Sequence, residues 1–345
     1  MEAAACARPA TGYTYARRQP ELGTLYRVVR ENIRTLYAVA EAGFAGAALP
    51  EFVRQEVAGY LECGLLCRGF AALQCEDCGE HMAVGFGGKS RGFCPSCTGR
   101  RMAQTATNWL DHVLPATPLR QLVVTFPFEL RQRLAYHGKA LGAVGRIFMD
   151  SVLGWYRRRM RDEGIRDGRS GAVMVVQRNN ADIKLSPHIH AILVDGVFAT
   201  VPEGKPVFHA LPRLSTDEVG DFCRSCAPAC SPTLSAAAVS GLPPAGPELR
   251  RRPEPVMLRG HPGVEVTAPL SVTEFGFSLH AATPAGGEDA RGREALCKYV
   301  LRPPLAHERL SLLPDGLVGI QLRKPFRDGD GRGVAAWGRG GGGRP

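Results

Sequence analysis

His188 and His190 stand two residues apart in Ser186-Pro187-His188-Ile189-His190-Ala191-Ile192-Leu193-Val194-Asp195, a run that reads as a buried β-strand. Strand side chains alternate between faces, so both imidazoles project together and Ile189 projects away. Two parallel imidazoles on a rigid strand can chelate one divalent metal. Two polar residues on an ordinary strand are the other reading of so short a motif. Thiol chemistry lies upstream, where Cys75-Glu76-Asp77-Cys78 and Cys94-Pro95-Ser96-Cys97 are C-x-x-C pairs flanking a Gly-rich stretch. Each pair offers two thiolates from a tight turn, and a hairpin between them would bring the turns around a tetrahedral zinc. The spacing therefore predicts a four-cysteine ribbon with ligands Cys75, Cys78, Cys94 and Cys97. Cys63 and Cys67 carry helical spacing and read as core residues, and His81 is a possible substitute ligand.

The elements that must position these groups follow from periodicity. Val28, Val29, Ile33, Leu36 and Tyr37, then Phe52, Val53, Val57, Tyr60 and Leu61, recur at helix spacing, with a break at Leu49-Pro50. Ala83 to Phe86 reads as a short hairpin strand. A helix is expected over 102–113, a strand over 122–126, and a long amphipathic helix over 139–161 with a basic last turn. Val173-Met174-Val175-Val176-Gln177 is a second strong strand, and a turn with Asn179, Asn180 and Asp182 leads back to the histidine strand. The two strands are expected to be antiparallel neighbours, which puts Gln177 near the histidines. It is the candidate third metal ligand, or else a glutamine bonding a neighbouring backbone. Strand 275–281 and helix 294–301, stopped by Arg302-Pro303-Pro304, complete the pattern.

Composition sets the class. The chain has 345 residues, net charge +10 and 44% hydrophobic residues, enough for a sizeable core. The basic excess favours a polyanionic partner, nucleic acid first. No apolar run is long enough to span a bilayer, and Met1-Glu2-Ala3-Ala4-Ala5-Cys6 has no signal-peptide pattern. Eleven cysteines, an odd number with two close C-x-x-C pairs, suit metal binding in a reducing cytoplasm rather than a disulfide framework. Residues 201–265 lose periodicity and read as an irregular insertion. Cys223, Cys226 and Cys230 there could hold a second metal, but no partner pair follows.

Several ordered motifs together resemble the rolling-circle insertion-sequence transposases of the IS ninety-one type, the HUH class of tyrosine transposases. They are Cys63-Gly64 through Gly69-Phe70, Gly92-Phe93-Cys94-Pro95-Ser96-Cys97, Arg100-Arg101-Met102, Pro187-His188-Ile189-His190 with Val194-Asp195-Gly196-Val197, Cys297-Lys298-Tyr299-Val300-Leu301-Arg302-Pro303-Pro304, and Leu310 to Gly316. The resemblance covers about residues 25–327. Ala295 stands four residues before Tyr299, so the chain resembles the single-tyrosine branch. The ordered pattern gives way after Arg327 to a Gly/Arg tail, as in a shifted or truncated frame.

The resemblance implies an α+β fold: an antiparallel central sheet of the HUH-endonuclease type with helices covering one face, preceded by a helical segment and the zinc ribbon. The expected organisation is a disordered 1–20, a DNA-binding 21–104, a catalytic 105–327 and a disordered 328–345. It implies a catalytic Mg2+ or Mn2+ on His188, His190 and Gln177, besides structural zinc. Tyr299 is then the nucleophile that cuts single-stranded DNA and keeps the 5′ phosphate. A tyrosine hydroxyl is mostly protonated at neutral pH, so a metal or nearby cation must assist. Lys89, Arg91, Arg100, Arg101, Lys298 and Arg302 are candidate DNA contacts, or else a solvated face. Three rivals remain: a DNA-binding protein without the histidine chemistry, a metal-dependent hydrolase without the tyrosine, and a transposase remnant that binds without nicking.

Overall fold

The computed structural model describes residues 18–43, 49–76, 79–87, 92, 94–180, 184–200, 204–239, 265–274, 276–314, 316–321 and 334–337. In chain order its elements are α1 (Thr24–Gly43), α2 (Glu51–Glu62), β1 (Phe70–Gln74), β2 (His81–Gly85), α3 (Pro95–His112), β3 (Leu119–Thr125), α4 (Phe128–Tyr136), α5 (Gly138–Asp162), β4 (Ala172–Asn179), β5 (Leu185–Val194), β6 (Gly196–Thr200), β7 (Pro206–Ala210), α6 (Thr216–Val239), β8 (Glu265–Ala268), β9 (Ser271–Glu274), β10 (Phe277–Ala285), α7 (Ala290–Leu301), β11 (Leu310–Leu312), β12 (Val318–Gln321) and β13 (Val334–Trp337). They form two compact units. One comprises 1–101 with 305–345, the other 102–304.

The second unit is built on a six-stranded sheet of order β4-β5-β3-β10-β9-β8, antiparallel throughout. Its central strands β3 and β5 are buried on both faces, so helices cover both faces there rather than the expected one. On one side Ile189, Ala191 and Leu193 of β5 meet Leu122 and Val124 of β3, Val144, Phe148 and Val152 of α5, and Phe222 of α6. On the other, Ile192 and Val194 meet Leu119, Ala106 of α3 and Leu296, Cys297 and Val300 of α7. Burying one such aliphatic side chain is worth about 1.5–3 kcal/mol, so each layer holds its helix firmly to the sheet.

A polar tie closes one end of β5. Arg120 donates from Nε and Nη2 to both carboxylate oxygens of Asp195, at 2.8 and 2.7 Å, and from Nη1 to the carbonyl of Ala281. The pair is buried, so removing one partner leaves a charge without compensation. Asp195→Ala is expected to cost about 3–5 kcal/mol in a denaturant titration; a loss under about 1 kcal/mol would contradict this role. The next residue, Gly196, sits where a Cβ would lie 2.2 Å from the carbonyl oxygen of His209. Only glycine lets β6 and β7 approach so closely.

The region 201–265 departs from expectation. Among its described residues, β7 pairs with β6, and α6 is a 24-residue helix packed into the core. Prolines at 228 and 232 and a small-residue composition hid this helix, while its start is signalled by a capping box. Glu218 N–H donates to Ser215 Oγ at 3.2 Å, and Ser215 N–H donates to the Glu218 carboxylate at 2.8 Å. Cys223, Cys226 and Cys230 lie on its buried side among apolar residues. They do not gather into a metal-binding group, so the second metal is not supported by this geometry.

The first unit also departs. Leu305 and Leu310 pack with Leu25, Tyr26 and Tyr60, so the segment after 304 folds with the N-terminal elements and not with 105–304. β13 pairs with β12, so the 328–345 tail contains a strand. The disorder expected for 1–20 falls on residues outside the described set up to 17, while Pro20–Leu22 is a 3-10 turn.

Candidate active site and thiol cluster

Pairing registers bring the histidine face together. Gln177 of β4 and Thr125 of β3 lie opposite His188, and Val175 and Val123 lie opposite His190. Gln177 thus shares the face of both imidazoles, as the strand–turn–strand pattern predicts. Its Nε2 donates to the carbonyl of Val300 in α7 at 2.8 Å. This is the backbone bond foreseen as the alternative role, and it leaves the amide oxygen for a further partner. The bond also ties α7 to β4, the neighbour of the histidine strand, one residue from Tyr299.

The imidazoles are 4.9 Å apart between centroids, and the Tyr299 ring stands edge-on to His190 at 5.9 Å. The guanidinium of Arg302 lies over the Tyr299 ring, 4.3 Å from its centroid. Lys298 instead forms an ion pair with Glu294 one helical turn back. Tyr299 is 43% exposed, open to a substrate that the deeply buried His190 could not meet alone. Arg293, buried in α7, donates to the carbonyls of Leu114 and Pro115 and fixes that helix beside the sheet. Arg293 carried no signal in the sequence.

Both histidines are held neutral. Burial pulls the His190 imidazole down to about 3, helped by His188 and Arg302, and burial also lowers His188. The Nδ1–H of His188 donates to the carbonyl of Ser186 at 2.8 Å, so its Nε2 keeps a lone pair. The Nε2 of His190 is buried without a hydrogen-bond partner. Its Nδ1 lies 2.6 Å from the Nε2 of Gln121, a β3 side chain only 2% exposed. A half-turn of that amide presents its oxygen to an Nδ1–H, which frees the buried His190 Nε2 as a metal ligand. Neutral imidazoles, an orphaned ring nitrogen and a neighbouring amide are a donor set that fits a divalent ion. Gln121 was missed because it lies far from the histidines in sequence, and only strand pairing reveals it.

The thiol cluster differs from the expected four cysteines. Cys63 Sγ lies 3.3 Å from Cys97 Sγ and 3.7 Å from Cys94 Sγ, and the three sulfurs could hold one ion. A tetrahedral zinc with ~2.3 Å bonds sets its sulfurs about 3.8 Å apart, so the cluster fits. The Cys63 sulfur, then burial, pushes the Cys94 thiol upward, and burial, then the Cys63 sulfur, pushes Cys97 upward, so a thiolate set here requires a cation. Cys75 sits at the turn end of the β1–β2 hairpin, where its N–H donates to Glu80 O. Cys63 sits at the other end, where Gly64 N–H donates to Phe86 O. Five paired residues separate these ends, about 17 Å at ~3.4 Å per residue, so Cys75 lies at the far end of the hairpin from Cys63. Cys78, Lys89 and Arg91 lie outside the described residues. His81 pairs with Gln74 at the turn end, so it too is remote from the sulfurs. Arg100 and Arg101 are exposed on α3. Among the described residues, no helix is long and apolar enough to cross a membrane.

Residues 35–126, which hold the three thiols and Gln121, match the family described as "Transposase zinc-binding domain". Residues 171–332, which hold Gln177, His188, His190 and Tyr299, match the family described as "Putative transposase". No curated protein and no solved structure matches the chain. A zinc-binding transposase module followed by a transposase module, in the order its motifs suggested, places the chain among the IS ninety-one-type transposases.

Proposed function

We propose that this chain nicks and rejoins single-stranded DNA in rolling-circle transposition, through a phosphotyrosine on Tyr299. The observation that carries the reading is the orphaned, buried His190 Nε2 beside an exposed tyrosine ring. His188, His190 and the Gln177 amide oxygen would hold Mg2+ or Mn2+. When bound, the ion supplies Lewis acidity to the scissile phosphate. The Tyr299 oxygen attacks phosphorus in line and its proton leaves. The P–O3′ bond breaks, and the freed 3′ oxygen takes up a proton as a hydroxyl. The Arg302 guanidinium places positive charge where negative charge develops. Attack by another 3′ hydroxyl reverses the step and joins strands, so bond energy is conserved and no nucleotide cofactor is required. The zinc-binding unit with Arg100 and Arg101 grips the DNA end by salt-dependent phosphate contacts.

Labelled single-stranded DNA carrying the parent element's ends, incubated with Mn2+, is expected to yield a covalent protein adduct on a denaturing gel. EDTA and His190→Ala are expected to abolish it. Multiple-turnover cleavage without attachment would indicate a hydrolase instead, and binding without cleavage would indicate a remnant.

A further inference from the structure

We infer that Phe128 and Arg131, at the start of α4, seat a base and phosphate of the single strand next to the cleaved bond. The inference rests on reading His188, His190 and Tyr299 as the nicking site. α4 buries Leu130, Leu134 and Ala135 against the sheet, yet Phe128 is 77% exposed and adds nothing to that core. Its position is specific. Thr125, the last residue of β3, pairs with His188, and Phe128 follows three residues later at the sheet end where His188 emerges.

Arg131 is anchored there, since its Nε donates to the Phe126 carbonyl at 2.9 Å. Its guanidinium lies 6.0 Å from the Phe128 ring centroid, and no carboxylate pairs with it among the described residues. Arg131 is bonded to Phe126, the residue after Thr125, which pairs with His188, and Arg302 lies over the Tyr299 ring beside His190. Two guanidiniums therefore border the histidine site, one from each neighbouring helical segment, and an open aromatic ring adjoins the first. A bare phenyl ring gains nothing in water, but it stacks on any base, while the guanidinium beside it matches a phosphate. The chemistry selects a single strand, because the base faces of a duplex are closed to such a ring.

The test uses the zinc-loaded full chain without added Mg2+ or Mn2+, and a fluorescein-labelled oligothymidylate. Phe128→Ala is expected to weaken binding roughly 5- to 150-fold, the range for losing one base–aromatic stack. Phe128→Trp is expected to keep affinity and to show tryptophan quenching by the single strand but not by a duplex. Arg131→Gln is expected to lower the salt slope of binding by about one phosphate contact. Thermal melts should be unchanged, since the ring is exposed. Unchanged affinity in Phe128→Ala together with an unquenched Phe128→Trp would overturn the seat. The adduct assay separates the two ideas: an adduct on Tyr299 with no effect at Phe128 refutes the seat alone, and quenching without any adduct refutes the nicking reading alone.

Discussion

Tyr299→Phe is expected to lose covalent attachment and strand joining by on the order of 10³-fold or more, with single-stranded DNA binding retained. The substitution removes one oxygen and keeps the ring. The edge-on contact with His190 and the Arg302 guanidinium over the ring both survive. The residue is substantially exposed, so stability should change by no more than about 0.5 kcal/mol. A reaction that persists in Tyr299→Phe would assign the nucleophile elsewhere, and Tyr136, exposed on α4, would be examined next. Ala295 lies one turn before Tyr299 on the same exposed stripe of α7, so the helix carries no second tyrosine there to take over.

The second large effect concerns the thiols. Cys63→Ser is expected to strip zinc and unfold the N-terminal unit, whereas Cys75→Ser is expected to retain the metal. Zinc in small metal-dependent domains holds on the order of 10 kcal/mol of folding free energy. Losing a ligand should cost more affinity than the roughly 10- to 100-fold lost with an outer hydrogen-bonding partner. Cys63 and Cys94 are almost fully buried and in sulfur contact, and Cys75 lies a hairpin's length away. Metal content per chain, measured by elemental analysis with a dye-release titration, separates the two. Zinc retained in Cys63→Ser and lost in Cys75→Ser would restore the two-knuckle ribbon.

The histidine site was largely legible because its geometry is local. A period of two fixes the shared face of His188 and His190, and a short return loop predicts the neighbouring strand that carries Gln177. Gln121 was not legible, since its contact with His190 depends on β3 pairing with β5 from 69 residues away. Cys63 was read as a core residue and is buried as one, but its helical spacing to Cys67 hid its place beside Cys94 and Cys97. The correcting signal is Gly64, with φ of 84°, which marks the end of α2 and takes Cys63 and Cys67 off one helix. The sheet order and the return of 305–321 to the N-terminal unit depend on contacts between distant segments, and no local pattern encodes them. α6 was hidden by its prolines and small residues although its capping box was visible.

The central claim is that Tyr299 becomes the covalent carrier of a DNA 5′ end. The most direct measurement is mass spectrometry of the peptide containing Tyr299 after reaction with single-stranded end DNA and Mn2+, followed by nuclease trimming. The account predicts a nucleotide 5′-phosphate on Tyr299 and a free 3′ hydroxyl on the released strand. A modified peptide elsewhere, or cleaved DNA with an unmodified Tyr299 peptide and no adduct, would contradict it.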